Sequence, residues 1–146
     1  GWDGRRFKIY KIRSLKNEKF DTKIQVKKND PRLLKIGKII RKLSIDELPQ
    51  FYNVLIGDMS IVGPRPHMVE HDILYSGLFD NFLKRHKASP GLTGWAQVSG
   101  FRGETPTVDL MEKRMEHDLW YLKNWTIWLD LYIIFKTFYV IFKRPG

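Results

Sequence analysis

Cysteine is absent from the 146-residue chain, which excludes a disulfide framework and thiolate chemistry. Long apolar runs are missing as well. No stretch approaches the roughly 18 apolar residues of a membrane span, and the run Leu131 to Phe135 is cut off by Lys136. Neither G-x-x-x-x-G-K-[ST] nor a well-placed G-x-G-x-x-G occurs, so a P-loop protein is excluded. No signal peptide, internal repeat or low-complexity tract is found. Acidic residues are scarce: 16 Asp and Glu stand against 26 Lys and Arg, a net charge of +10. Such a balance calls for an anionic partner, whether nucleic acid, an anionic membrane or phosphorylated substrates. RNA binding lacks support, because no RRM-like aromatic motif is present. What the chain does have is rings: 14% of its residues are aromatic, five of them Trp. The length suits one domain with a modest core. The opening Gly1-Trp2-Asp3-Gly4 reads like the middle of a domain, so an upstream part is expected.

Residues 5–15 alternate basic and apolar side chains and predict a short strand entering a loop. The polar stretch 16–31 ends in the turn signal Asn29-Asp30-Pro31. From Arg32 a helix is expected, with Ile36, Ile39, Ile40 and Leu43 on one stripe and Lys35, Lys38, Arg41 and Lys42 around it. Such a basic amphipathic helix either lies on anionic lipid or is an ordinary surface helix, and on its own the second reading is favoured. Ser44-Ile45-Asp46-Glu47 fits a capping box, with a helix from Asp46 placing Pro49 in the first turn. Gly57-Asp58 stops it, and Ser60-Ile61-Val62 is short and β-like. Gly63-Pro64-Arg65-Pro66 is a rigid loop. His67 to about His86 is helix-compatible with a break near Gly77. Residues 88–106 are loop with a short strand around Trp95-Ala96-Gln97-Val98. Asp109–Lys123 is a helix with Met111, Met115, Leu119 and Leu122 on one face, interrupted at Asn124. In the last segment, Trp125–Lys143, the residues Trp128, Leu131, Tyr132, Phe135, Phe138, Tyr139 and Phe142 share one broad face opposite Asp130, Thr137 and Arg144. Periodicity leaves two readings of that face, an interfacial helix bordered by Lys136 and Lys143 or a core helix.

Three features could carry chemistry. Asp46 and Glu47 are adjacent acids behind a basic helix. Helix capping accounts for them, but helix amides and Arg41 would also keep a carboxylate ionised, able to act as nucleophile or metal ligand. Neighbouring acids cannot both point the same way, so one could attack phosphorus while the other holds Mg²⁺. Arg65, between two prolines, is a rigid guanidinium whose fork matches phosphate oxygens, unless it is merely a solvated turn residue. Lys11 and Arg13 could add charge at a diphosphate. Third, His67-Met68-Val69-Glu70-His71 matches H-x-x-E-H, an inverted zinc-peptidase signature. If helical, its imidazoles share a face and could bind Zn²⁺, with Glu112 or Glu116 as a third ligand.

Taken together, the motifs are more specific than any one of them. Tyr10-Lys11-Ile12-Arg13-Ser14, Arg41 with Leu43 to Gln50, Asn53-Val54, and Gly57-Asp58-Met59-Ser60-Ile61-Val62-Gly63-Pro64-Arg65-Pro66 occur in that order. Arg85-His86, Pro90 to Val98, Asp118-Leu119-Trp120-Tyr121 and Trp128 to Leu131 follow. This series resembles the bacterial sugar transferase family, the monotopic phosphoglycosyl transferases, over nearly the whole chain. The tract Gly100 to Thr105 resembles the branch acting on undecaprenyl phosphate with UDP-glucose or UDP-galactose.

The resemblance implies a small α+β domain, mainly helical, with short strands and amphipathic membrane-interface helices. It implies transfer of hexose-1-phosphate from a UDP-sugar to a polyprenyl phosphate, as a first step of exopolysaccharide, O-antigen or glycan assembly. Asp46 is implied as the nucleophile that forms a sugar-phosphoryl aspartate and releases UMP, and Glu47 as the ligand of Mg²⁺. Lys11, Arg41, Arg65 and Asp118 match the family's charged positions for phosphate and metal binding. Residues 1–146 would be the catalytic domain on the cytoplasmic face of the bacterial inner membrane, with the family's re-entrant membrane helix upstream of it. Expected partners are the UDP-sugar, the polyprenyl phosphate and the membrane surface, with no nucleic acid; a homo-oligomer is left open. The rival from another class is a non-catalytic basic module binding anionic lipid or nucleic acid. That rival leaves the Asp-Glu pair and the Gly-Pro-Arg-Pro loop without a reason.

Overall fold

The computed structural model describes residues 1–16, 30–103 and 107–143. Most of the polar stretch 16–31, residues Glu104 and Thr105 of the glycine tract, and Arg144 lie outside them. Helices α1 (Lys35–Lys42), α2 (Gln50–Leu55), α3 (Val69–Leu78), α4 (Val108–Lys123) and α5 (Ile127–Lys143) form the frame of the fold. Tighter 3-10 turns cover Trp2–Gly4, Ile45–Glu47 and Phe82–Lys87, and a wide π turn covers Gln97–Phe101. Two short strands, β1 (Ser60–Val62) and β2 (Gly91–Thr93), pair in parallel, with Ser60 opposite Gly91 and Val62 opposite Thr93. This is the small α+β, mainly helical class expected from the sequence.

The short sheet fixes the loop that follows β1. Gly63 N donates to Thr93 O and Gly91 N donates to Pro64 O, both at 2.9 Å. A Cβ on Gly63 or Gly91 would run into the backbone facing it, so the two segments can approach this closely only as glycines. The core is two small clusters. Val62, Val98, Tyr121 and Ile133 form one; Tyr75, Phe82, Met111 and Met115 form the other. Helix α4 supplies both methionines from the face its period predicts, and Thr107 Oγ1 caps it by accepting from Leu110 N at 3.4 Å.

Helix α5 is turned the other way. Ile133 is buried, Thr137 Oγ1 bonds to Thr93 Oγ1 at 2.6 Å, and Asp130 accepts from Tyr121 Oη at 2.7 Å and Trp125 Nε1 at 3.1 Å. The side carrying Asp130 and Thr137 therefore packs on the protein. The aromatic face points outward, from 40% exposed at Leu131 to 80% at Phe142. Of the two readings periodicity allowed, core packing of this face is excluded. Helix α1 behaves similarly: Ile36, Ile39 and Leu43 are exposed, and the residue it buries is Gly37, against the Ser14 carbonyl. It starts at Lys35 rather than Arg32, because Asp30 accepts from Arg32 Nε at 2.8 Å and Nη2 at 2.6 Å and closes a turn before the helix.

Two expected strands do not form. In residues 5–15 only an isolated bridge from Leu15 to Leu33 forms, and the segment is held by a side chain: Asn53 Nδ2 donates to Lys8 O at 2.7 Å and Asn53 Oδ1 accepts from Tyr10 N at 3.1 Å. The second strand of the sheet is Gly91–Thr93; Trp95–Val98 turns helically, with Val98 N donating to Gly94 O at 3.1 Å.

Candidate active site

The acidic pair sits where three stretches of chain meet. Asn53, fully buried at 0% exposure, lays the N-terminal segment over the turn Ile45–Glu47, and Ile12 N donates to Asp46 O at 3.0 Å. Lys11 thereby reaches Glu47, Nζ to Oε1 at 3.3 Å. From the loop after β1, Arg65 Nη2 reaches the same oxygen at 2.6 Å. Arg102, beyond the π turn, places Nη2 at 3.6 Å from Glu47 Oε2 and also donates to Ser44 Oγ. Buried Gln97 accepts from Arg65 Nη1 at 3.4 Å and so steadies the fork.

The capping box is not made. Ser44 adopts φ +58° and closes α1, its N–H donating to Arg41 O at 3.0 Å, while its hydroxyl serves Arg102. The left-handed conformation is a strained one for serine, and it is held by contacts from two elements. Glu47, freed from capping, turns its carboxylate to the cations.

The two acids have opposite electrostatics. Burial disfavours the Glu47 anion, but the charge and hydrogen bond of Arg65, with Lys11 and Arg102, outweigh it and hold its carboxyl at about 2. Asp46 is buried, accepts from its own backbone amide, and has its carboxyl raised by burial and by Glu47 next door; Lys11 and Arg41 oppose the rise. Arg65 is therefore beside the acidic pair, but it is bonded to Glu47.

Behind Arg65 lies a second, buried cluster. Arg85 Nη2 donates to Asp118 Oδ2 and to Arg65 O, each at 2.7 Å, and Arg85 Nη1 donates to His67 Nδ1 at 2.8 Å. Arg85 and Asp118 are each 2% exposed. Asp118 thus touches the site through Arg85 and the Arg65 backbone. Burial raises its carboxyl, against the pull of Arg85 and Arg114. Arg41 reaches Asp46 through its field. Arg85, Gln97 and Arg102 are the members that sequence reasoning left without a role. Arg85 and Arg102 stood inside quoted motifs, but nothing in their spacing announced which acid each would meet.

Among the described residues no three His, Cys, Asp or Glu side chains converge into an all-protein metal cage. Mg²⁺ does not need one, since it binds through one or two carboxylates together with water and substrate phosphates. Glu47 fits that manner of binding, because Oε2 has its cation at 3.6 Å, beyond hydrogen-bonding distance, and remains a hard oxygen donor. The zinc signature fails. His67 and Met68 precede α3, which starts at Val69, so the shared helical face of His67 and His71 is never formed, and His67 Nδ1 is taken by Arg85.

A profile described as bacterial sugar transferase matches residues 1–144. The chain is 54% identical over 138 residues to the UDP-glucose:undecaprenyl-phosphate glucose-1-phosphate transferase of Klebsiella pneumoniae, covering 94% of this chain and 30% of that protein. It is 42% identical over 147 residues to the UDP-N-acetylgalactosamine-undecaprenyl-phosphate N-acetylgalactosaminephosphotransferase of Aeromonas hydrophila, covering all of this chain and 34% of that one. With the sugar transferase EpsL of Bacillus subtilis it shares 44% identity over 146 residues, covering 68% of that protein. The chain thus spans about a third of the length of the first two relatives.

Proposed function

The chain belongs to the bacterial sugar transferase family, and on that premise we propose that it is the catalytic domain of a phosphoglycosyl transferase. It moves a hexose-1-phosphate from a UDP-sugar to undecaprenyl phosphate. The observation that carries this reading is the convergence of Lys11, Arg65 and Arg102 on Glu47, next to a second carboxylate at Asp46. Phosphoryl transfer asks a protein mainly for positioning and for neutralisation of charge on phosphate oxygens, and three cations on one carboxylate are a set that a diphosphate can draw off.

In the first step an Asp46 carboxylate oxygen bonds to the β-phosphorus of the donor. The bond from that phosphorus to the bridging oxygen breaks, and UMP leaves with the electron pair. In the second step a phosphate oxygen of the lipid bonds to the same phosphorus and Asp46 departs as carboxylate, leaving a lipid diphosphate sugar. A covalent intermediate lets one site meet a soluble and a lipid substrate in turn. Glu47 would hold Mg²⁺, which would supply charge neutralisation at the diphosphate. Arg65 and Lys11 orient the diphosphate, and Arg85 with Asp118 keeps the Arg65 loop in place. Relatives named for glucose and for N-acetylgalactosamine support a UDP-hexose as the class of donor.

The same reading places the domain on the cytoplasmic face of the inner membrane. No helix among the described residues is long and apolar enough to cross a membrane. The outward aromatic face of α5, rimmed by Lys136 and Lys143, and the exposed isoleucines of α1 among its lysines suit an anionic lipid surface. A non-catalytic basic module would leave the cluster on Glu47 without a task.

Asp46→Asn tests the reading. We expect UMP release from UDP-sugar to fall by at least about 10³-fold, and labelled sugar phosphate to be trapped on the wild-type chain but not on the variant. Retained turnover in Asp46→Asn would remove the nucleophile.

A further inference from the structure

Behind the loop that presents Arg65 lies a cavity of about 240 Å³. Pro64, Arg65 and Pro66 form one wall, Arg5, Arg6 and Phe7 another, and α3 contributes Asp72. Four buried side-chain polar atoms have no hydrogen-bond partner among the described residues, and three of them belong to residues lining this cavity: His67 Nε2, Asp72 Oδ1 and Arg85 Nε. Buried polar atoms are costly when unpaired, so a polar occupant belongs there.

The donor and acceptor roles are fixed. The His67 side chain is 8% exposed. A guanidinium can only donate, so His67 Nδ1 accepts from Arg85 at 2.8 Å and Nε2 carries the proton. Burial and the nearby guanidinium groups of Arg85, Arg114 and Arg65 keep that imidazole neutral, its pKa well below the usual value. Asp72 offers an acceptor near the same ring: Oδ1 lies 3.7 Å from His67 Nδ1, and Oδ2 lies 3.4 Å from His86 Nε2. An N–H and a carboxylate oxygen on residues of one cavity can complement the edge of uracil, where O4 accepts and N3–H donates. Cytosine presents the reverse, an amino donor at C4 and an acceptor at N3. Phe7 supplies an aromatic wall for a ring, and Arg5 and Arg6 supply positive charge for phosphates. The segment that starts in this cavity at Phe7 reaches Glu47 at Lys11. Four residues span at most on the order of 13 Å, within the reach of a nucleotide from base to diphosphate.

We propose that this cavity is the nucleoside subsite of the donor, with a uracil ring held by His67 Nε2–H and the Asp72 carboxylate and its diphosphate at the Arg65–Glu47 cluster. The proposal rests on the reading of the chain as a UDP-sugar-dependent transferase. It is tested by calorimetric titration of UMP and of CMP, each with Mg²⁺, into the whole chain. UMP is expected to bind at least about 10-fold more tightly than CMP, because a base that mismatches leaves the buried donor and acceptor unpaired. Asp72→Asn is expected to narrow that ratio to about 2-fold and to raise KM for the UDP-sugar with kcat little changed. Ile73→Trp, at a cavity-lining position that is 66% exposed, fills the space from its rim and is expected to weaken UMP about 10-fold. It carries the test should Asp72→Asn not fold. Equal binding of UMP and CMP, or affinities unchanged in both variants, overturns the subsite. Selective UMP binding without any sugar-phosphate transfer overturns the transferase reading instead and leaves the subsite standing.

Discussion

Arg65 is gripped twice, and the two grips differ in kind. Its carbonyl is held by Arg85, whose guanidinium is 2% exposed and paired to an equally buried Asp118. Its guanidinium lies on Glu47, in an ion pair open to water on one side and shared with Lys11 and Arg102. A buried pair has no solvent to replace a lost partner, so it fixes geometry and tolerates no loss. An open cluster with three cations on one carboxylate can exchange a partner for substrate at small cost. The rear grip fixes the loop, and the front grip is the one that phosphate would meet in the proposed reaction.

The comparison breaks most severely at the rear. Arg85→Met leaves Asp118 as an unpaired buried charge and should cost about 3–5 kcal/mol, lowering the melting temperature by roughly 10 °C. The matched double variant Arg85→Met, Asp118→Leu should regain most of that stability and still transfer poorly, because nothing holds the Arg65 carbonyl. A fully active double variant would show that the rear pair is purely structural. At the front, Arg65→Ala should lower UMP release about 10²-fold while stability changes by less than about 1 kcal/mol, read by thermal melts beside steady-state rates.

Acid titration separates the grips more finely. The Glu47 carboxyl is depressed from an ordinary 4.5 to about 2 in the fold. Its contribution is therefore complete above about pH 4.5 and lost as the pH falls toward 2. Asp46 and Asp118, whose carboxyls burial raises, carry the opposite sign. The difference between wild-type and Glu47→Gln stability curves isolates the front cluster: it should be constant at neutral pH and shrink in that acid window. The smallest effect on stability is expected on α5. Phe135→Ser with Phe142→Ser removes exposed rings and should change stability within about 0.5 kcal/mol, yet weaken sedimentation with anionic lipid vesicles. A fall in melting temperature with unchanged vesicle binding would mean the face packs on protein.

How much of this was legible in the chain depends on the range of the interaction involved. The periods of α4 and α5 announced their faces, since a helix face is a local property. Which side of α5 met the core was not local. Thr93 and Tyr121 bond to Thr137 and Asp130, and those bonds span 44 and 9 residues. The capping box misled because Ser44-Ile45-Asp46-Glu47 satisfies the motif in sequence while Arg102, 58 residues away, takes the serine hydroxyl. The segment 5–15 reads as a strand by alternation, but Lys8 O and Tyr10 N bond to Asn53, a side chain no periodicity points to.

The sequence by itself determined the acid pair, the proline-clamped arginine, the excess of positive charge and the aromatic stripe, because each is a matter of residue type and short spacing. Tertiary structure alone decided that Lys11, Arg65 and Arg102 share Glu47, that Asp118 acts from behind through Arg85, and that the stripe of α5 faces outward. Those outcomes depend on contacts between residues far apart in the chain, where burial and competition among partners choose the winner.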